Sequence, residues 1–260
     1  MPDEPVRVDR VDSTTTVTLS RPSRRNALST EVLDALLVAL REAGDSNASG
    51  VVLAAEGPVF SAGHDLAQLA EFDLEATHRM LDRCARVMMT IHQMPQVVIA
   101  RVHALATAAG CQLVAACDLA VAASSASFAV PGGGGGWFCT TPMVEVGRSV
   151  PRKFALEMAL TGDAIDADTA LAWGLINRVV PDDQLDEEVA ALLARATRGS
   201  AISRAIGKPT LYVQLGLPLD DAYEHATDVM AAASQIDDAR EMMRAFVEHR
   251  APNYRLAPGP

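Results

Sequence analysis

Residues 97–123 read VVIARVHALATAAGCQLVAACDLAVAA. Runs 97–102 and 118–123 are short and, apart from Arg101 and Asp118, continuously apolar, which marks strands buried on both faces. Between them, 107–116 is built of small residues and reads as a helix. Two buried strands separated by a helix predict a parallel pair joined by a right-handed crossover.

Outward from this unit the same signals recur. Val51 to Ala55 is a further buried strand, followed by a turn-rich stretch at 56–65. A helix over 74–93 carries Leu81, Cys84, Met88 and Ile91 on one face and is ended by Pro95. Upstream, Ser29 is the expected N-cap of an amphipathic helix. Leu33, Leu36, Leu37 and Leu40 follow at i, i+3, i+4 and i+7, and the helix ends near Gly44. Val6 to Val11 and Thr14 to Leu19 read as an amino-terminal hairpin. Downstream, 126–130 is a short edge piece, and the five glycines Gly132 to Gly136 interrupt a packed region and read as a pocket loop. From Thr141 onward the pattern is almost wholly helical. Its segments lie near 152–160, 166–172, 184–197, 201–215, 219–235 and 237–249, with Asp166 and Asp237 as expected N-caps. An α/β first half is thus followed by a helical second half.

Of the 260 residues, 49% are hydrophobic and 21% charged, an ordinary globular composition. The net charge of −11 argues against nucleic acid as the main partner, because phosphate binding needs a basic surface. A small phosphate-bearing ligand needs only a few local cations. No run of about 18 apolar residues occurs, so no membrane span is expected. Residues 1–12 lack the apolar centre of a signal peptide and are too acidic for a typical transit peptide, so a cytoplasmic location is expected. Cys84, Cys111, Cys117 and Cys139 form no CxxC pair and no histidine pair has zinc-like spacing, so no metal is expected. Cys84 and Cys117 read as reduced thiols in packed interior positions.

Two loop-to-helix junctions carry the chemistry. One is Phe60-Ser61-Ala62-Gly63-His64-Asp65-Leu66; the other runs from Ala104 through Ala109-Gly110-Cys111-Gln112 to Leu113. Each follows a buried strand and leads into a helix, where free backbone amides carry partial positive charge. Two such amides aimed at one point would stabilise an enolate or tetrahedral oxyanion. Taken singly, each junction reads as close packing of small residues. Together, and in order with Arg21-Pro22, Asn26-Ala27-Leu28, Thr161-Gly162, Trp173-Gly174-Leu175-Ile176-Asn177-Arg178, Phe246 and His249-Arg250, they resemble the motifs of the crotonase (enoyl-CoA hydratase/isomerase) superfamily over nearly the whole chain. Gly63-His64-Asp65-Leu66, Ala109-Gly110-Cys111-Gln112 and Phe138-Cys139-Thr140-Thr141-Pro142 resemble its enoyl-CoA hydratase domain-containing protein 3 subgroup.

That resemblance implies the crotonase (ClpP-like) α/β spiral of ββα units over residues 1–195, with a helical trimerisation region over 196–260. The ligand implied is an acyl-CoA thioester, with coenzyme A carried in the substrate and no further cofactor, in a homotrimer or hexamer. Carried over residue by residue, the oxyanion amides fall on His64 and Ala109. The adenine is expected near Ala62, His64 and Leu66, the phosphates near Arg24 and Arg25, and Trp137 beside the cavity. Phe246 and His249 would reach the ligand from a neighbouring subunit, although the face formed by Ala239, Met242, Met243 and Phe246 reads more simply as a core or subunit contact. The His64 imidazole is expected at the pocket mouth, near its usual pKa. Asp65 reads as a loop-fixing acceptor, and Cys139 as a packed thiol whose helix-start position would lower its pKa. The two positions where hydratases carry glutamate hold Gln112 and Gly132 here. Hydration needs one group to activate water and another to protonate the α-carbon. The expectation is therefore a hydratase/isomerase-like protein with weak or absent hydratase activity, the alternatives being a non-catalytic acyl-CoA binder or another acyl-CoA reaction such as thioester hydrolysis.

Overall fold

The computed structural model describes residues 4–254. Met1 to Asp3, part of the stretch searched for targeting signals, and residues 255–260 of the carboxy-terminal region lie outside it. β1 (Val6–Val11) and β2 (Thr14–Leu19) form the expected antiparallel hairpin, with Val6 opposite Leu19. Ser29 caps α1 (Thr30–Gly44), its hydroxyl accepting from the Val32 amide at 3.3 Å, and Leu33, Leu36 and Leu40 are buried. All six residues of β3 (Gly50–Ala55) are buried. The chain then crosses to α2 (Leu66–Ala70), a short helix with no periodic signal, and to α3 (Leu74–Gln93), capped by Asp73. β4 (Val97–Val102), β5 (Ala106–Thr107) and α4 (Ala109–Ala116) follow, then β6 (Leu119–Ala123) and β7 (Ser127–Ala129).

The second half contains α5 (Pro142–Ser149), α6 (Arg152–Thr161), β8 (Ile165–Asp166), α7 (Ala167–Trp173), β9 (Arg178–Val180), α8 (Leu185–Ala196), α9 (Ala201–Gln214), α10 (Leu219–Ala233) and α11 (Asp237–Val247). It is therefore not wholly helical. β8 and β9 are too short for an alternation to register, and each becomes a strand only because an earlier strand supplies an edge for it. Asp166 caps α7 as expected, accepting from Thr169 at 2.8 Å. Asp237 does not cap α11: Ile236 holds the cap position, and Asp237 is the first helical residue, where its charge suits the positive helix end.

The main sheet has the order β1-β2-β3-β4-β6-β9, parallel from β2 onward. A small second sheet, β5-β7-β8, is extended by isolated bridges between Ser61 and Ala106 and between Leu28 and His64. Each circuit thus contributes a long strand to one sheet, a short extended piece to the other, and then a helix. One face of the main sheet packs on α1, α3 and α4. Val52, Ala54, Ile99 and Val121 on the other face meet Leu185, Val189, Leu192 and Leu193 of α8. Burial on both faces is why β3, β4 and β6 read as unbroken apolar runs.

A buried polar cluster ties α9 to this core. The Asp118 carboxylate accepts from the Val98 amide at 2.7 Å, the Lys208 ammonium at 2.7 Å and the Tyr212 hydroxyl at 2.9 Å. Lys208 also donates to the Gln96 carbonyl at 2.6 Å, and the Tyr212 ring stacks on His92 with centroids 4.0 Å apart. On α11, Met242, Met243 and Phe246 are exposed within the chain, which rules out the core reading of that face.

Candidate functional site

The two junctions meet. His64 bridges Leu28 through the Leu28 amide to the Gly63 carbonyl (2.7 Å) and the Asp65 amide to the Leu28 carbonyl (3.4 Å). In such a parallel bridge the amide of His64 itself points away from Leu28. Gly63, at φ +81°, is the point of closest approach: a Cβ there would stand 2.8 Å from the Ala108 Cβ and 3.1 Å from the Ala109 nitrogen. Ala109 is the first residue of α4, so its amide has no intrahelical acceptor. Ala108, just ahead, holds φ 52° and ψ −120°, a conformation glycine adopts freely and alanine resists. Strain of this kind persists only where the surroundings impose it. Here β5 does so, through the Ala108 amide bonded to the Ala129 carbonyl at 2.8 Å.

The first junction is held by side chains. The Ser61 hydroxyl donates to the Asn26 carbonyl (2.8 Å) and accepts from the Gly63 amide (3.2 Å). Asn26 is buried, donates to the carbonyls of Glu56 and Val59, and accepts from the Arg21 amide. Sequence reasoning registered Asn26 only as part of a motif; its role as the loop's organiser appears once its partners are brought together. Asp65 behaves as expected, accepting from the Ala67 and Gln68 amides, and it also takes a 2.9 Å hydrogen bond from Arg24.

Beside the junctions lies a cavity of about 550 Å³. The structure brings Ala62, His64, Leu66, Gly132 and Trp137 together in its wall, with Leu81, Thr107, Ala108, Pro131, Gly135 and residues 138–142. No Asp or Glu is among these lining residues. Gln112 is buried one turn along α4 and outside the wall, its Oε1 3.9 Å from the Cys84 Sγ on α3. Gly132 is enclosed: a Cβ there would stand 2.3 Å from the Trp137 carbonyl oxygen and 2.5 Å from the Cys139 nitrogen. Arg25 is exposed at φ 51°, and Arg24 lies in a separate surface cleft with Arg21 and Asp65. Phe246 and His249 are exposed near the end of α11 and do not line the cavity within the chain.

Two pKa expectations are corrected. His64 lines the cavity as expected, but it is only 9% exposed, and burial depresses its pKa to about 4, so the imidazole is neutral at pH 7. Cys139 has no lowered pKa. It precedes the start of α5 by three residues, and burial pushes its thiol up against the opposing effect of the Gly132 amide. Cys84, Cys111 and Cys117 are buried thiols, Cys84 and Cys111 being pushed up to about 12 by desolvation.

A profile of the enoyl-CoA hydratase/isomerase family matches residues 9–256. The chain belongs to that family. Rat enoyl-CoA hydratase domain-containing protein 3 is 44% identical over 93% of this chain and 81% of its own length, which bears out the subgroup resemblance. The solved structure of an enoyl-CoA hydratase from Mycobacterium smegmatis superposes with a TM-score of 0.92 at 43% identity, covering 96% of this chain and 98% of that one. The human domain-containing protein 3 superposes with a TM-score of 0.90 at 42% identity, covering 96% and 100%. The fold is thus the crotonase spiral. The rat, mouse and human relatives are named as mitochondrial proteins, which overturns the cytoplasmic expectation. No helix among the described residues is long and apolar enough to cross a membrane.

Proposed function

We propose that this crotonase-family chain binds an acyl-CoA thioester with the carbonyl oxygen between the His64 and Ala109 amides, and that its hydratase activity is weak or absent. The observation that carries the second half is the closure around Gly132. The backbone of Trp137 and Cys139 occupies the space a side chain at 132 would need, so a carboxylate is excluded there by packing as well as by sequence. Gln112 lies outside the cavity wall, and its amide could not accept a water's proton at neutral pH in any case. The imidazole of His64, with a pKa near 4, is a poor base for activating water. Two convergent amides still lower the energy of a thioester oxyanion or enolate without any carboxylate. The cavity volume lies within the ordinary range for small-ligand sites.

On this reading Ala62, Leu66 and Trp137 border the ligand, and Arg24 and Arg25 approach the coenzyme A phosphates, Arg24 exchanging its bond to Asp65 for a phosphate oxygen. Residues 1–195 form the binding core. Residues 196–260 carry assembly into a trimer or hexamer, in which a neighbour's Phe246 and His249 reach the site; the exposed Met230, Met242, Met243, Phe246 and Val247 support such a contact. No cofactor beyond the coenzyme A of the substrate is required. Two measurements test the proposal. Titration calorimetry with acetyl-, crotonyl- and long-chain acyl-CoA should give binding, and loss of crotonyl-CoA absorbance should be far slower than a two-carboxylate enzyme gives. Absence of affinity for all three thioesters refutes the binding site, and fast hydration refutes the carboxylate argument.

A further inference from the structure

The far face of the main sheet carries a feature that the acyl-CoA site does not use. On that face α8 packs over Val52, Ala54, Ile99 and Val121 and leaves Thr14 and Thr16 of β2 half-buried beside it. Between β2 and α8 runs a groove of about 890 Å³, within the ordinary size range for small-ligand sites. It shares no lining residue with the cavity beside the junctions. One wall is Val189, Ala190, Leu193 and Ala194 of α8, apolar throughout. The other is the row Thr14, Thr16 and Thr18, set on one face by the two-residue period of the strand. Thr18 is 3% exposed, yet its hydroxyl meets no hydrogen-bond partner among the described residues and is not sealed from water. Hydroxyls this deep are ordinarily paired. Those of Thr14, Thr16, Ser13 and Ser49 in the same lining also bond to none of the described residues.

The two ends of the groove differ in charge. Thr14 pairs with Gly50, and Gly50 lies tight against Leu193, so the starts of β2 and β3 meet the carboxy-terminal half of α8. Ser13, Ser49 and Arg198 therefore share one end. Thr18, opposite Arg7, stands at the other. There Arg7 is held by Asp9 and Glu56, and Arg101 by Asp186. Arg198 has no such carboxylate. Its Nε donates to the Arg195 carbonyl at 3.3 Å, and its two terminal nitrogens meet nothing among the described residues.

We propose that this groove is a second ligand site, and that it takes a phosphorylated sugar. The phosphate lies at the Arg198 end beside the Ser13 and Ser49 hydroxyls, because a planar guanidinium and neutral donors match its oxygens. The sugar hydroxyls lie over Thr16 and Thr18, since a hydroxyl both donates and accepts and so pairs with another hydroxyl. The C–H face of the sugar lies on the apolar wall of α8. A fatty chain would leave the threonine row unpaired, and an uncharged sugar would leave Arg198 unmatched. The row from Thr14 to Thr18 spans about 13 Å, which leaves room for a free sugar phosphate or for a nucleoside monophosphate, whose phosphate and ribose present the same chemistry.

The test is titration calorimetry of the full-length protein with inorganic phosphate, ribose 5-phosphate and AMP. Wild type should bind one or both sugar phosphates at least about 5-fold more tightly than inorganic phosphate, the value of one added neutral hydrogen bond. Arg198→Gln, at an exposed position, should weaken whatever binds by about 10-fold or more. Thr16→Val and Thr18→Val keep the shape of the side chain and remove only its hydroxyl. Each should weaken the sugar phosphates by about 5-fold and leave inorganic phosphate unchanged. Tighter binding of AMP than of ribose 5-phosphate identifies a nucleotide as the source, and equal or weaker binding identifies a free sugar phosphate; both support the site. No binding of either, no preference over inorganic phosphate, or binding that survives Arg198→Gln overturns it. Nucleotide that survives that substitution is held elsewhere, as in the cleft beside Arg24. None of these failures bears on acyl-CoA binding, which uses other residues.

Discussion

Restoring the family's acidic pair should fail at position 132, for a reason that can be measured. A Cβ on Gly132 would meet the Trp137 oxygen at 2.3 Å, the Cys139 nitrogen at 2.5 Å and the Cys139 Sγ at 2.7 Å. Real Cβ atoms essentially never come within 3.0 Å of such neighbours, so the 137–139 backbone must retreat by at least 0.7 Å to admit even alanine. That retreat is resisted by the Cys139 carbonyl accepting from the Met143 amide at the start of α5, and residue 132 cannot back away instead, because its neighbour Gly133 lies tight against the Ala159 carbonyl of α6. Overpacking of this kind costs about 1–3 kcal/mol, which for a chain of this size lowers the Tm by roughly 2–12 °C. Glutamate adds a buried carboxylate with no cation in the wall, so Gly132→Glu should be worse than Gly132→Ala. The assay is thermal unfolding of Gly132→Ala and Gly132→Glu, with crotonyl-CoA hydration measured for Gln112→Glu/Gly132→Glu. General acid and base groups each contribute about 10²–10⁴-fold when correctly held, and the double variant should gain little of this. A Gly132→Glu protein that melts at the wild-type temperature, or a double variant that hydrates crotonyl-CoA rapidly, would refute the packing argument.

Other consequences follow from the same geometry. Gly63→Ala forces a side chain into φ +81° and against Ala108, so it should lower stability by about 1–3 kcal/mol and weaken acyl-CoA binding at least roughly 10-fold, read by denaturant unfolding and calorimetry. His64 should make stability depend on pH. Its folded pKa of about 4 lies below the ordinary value of 6.5, so the unfolded chain binds the extra proton between them. Its contribution is complete above pH 6.5 and is lost as pH falls toward 4, on the order of 3 kcal/mol in all; urea unfolding at pH 7 and pH 4.5 should show a smaller difference for His64→Phe than for wild type. Lys208→Met leaves Asp118 buried without its cation and should cost about 3–5 kcal/mol, with Asp118→Asn/Lys208→Met recovering part of the loss; equal unfolding midpoints for wild type and the single variant would argue that the cluster is not holding α9.

The sequence by itself determined the repeating pattern of buried strand, extended piece and helix. It did so because strands covered on both faces must be apolar throughout, as 51–55 and 97–102 are, and because caps such as Ser29 and Asp166 are local events needing no distant partner. It also determined which residues could not be acids, since Gln112 and Gly132 are visible without coordinates. The tertiary structure alone decided whether those positions mattered. Gln112 turned toward Cys84, and Gly132 was walled in by a backbone several residues later in the chain. β8 and β9 were illegible for the same reason: three residues or fewer carry no period, and an earlier strand must already offer its edge. His64 gives the sharpest division. Its presence was plain in the sequence, but burial sets its charge and strands its Nε2, and burial is a property of everything packed around it.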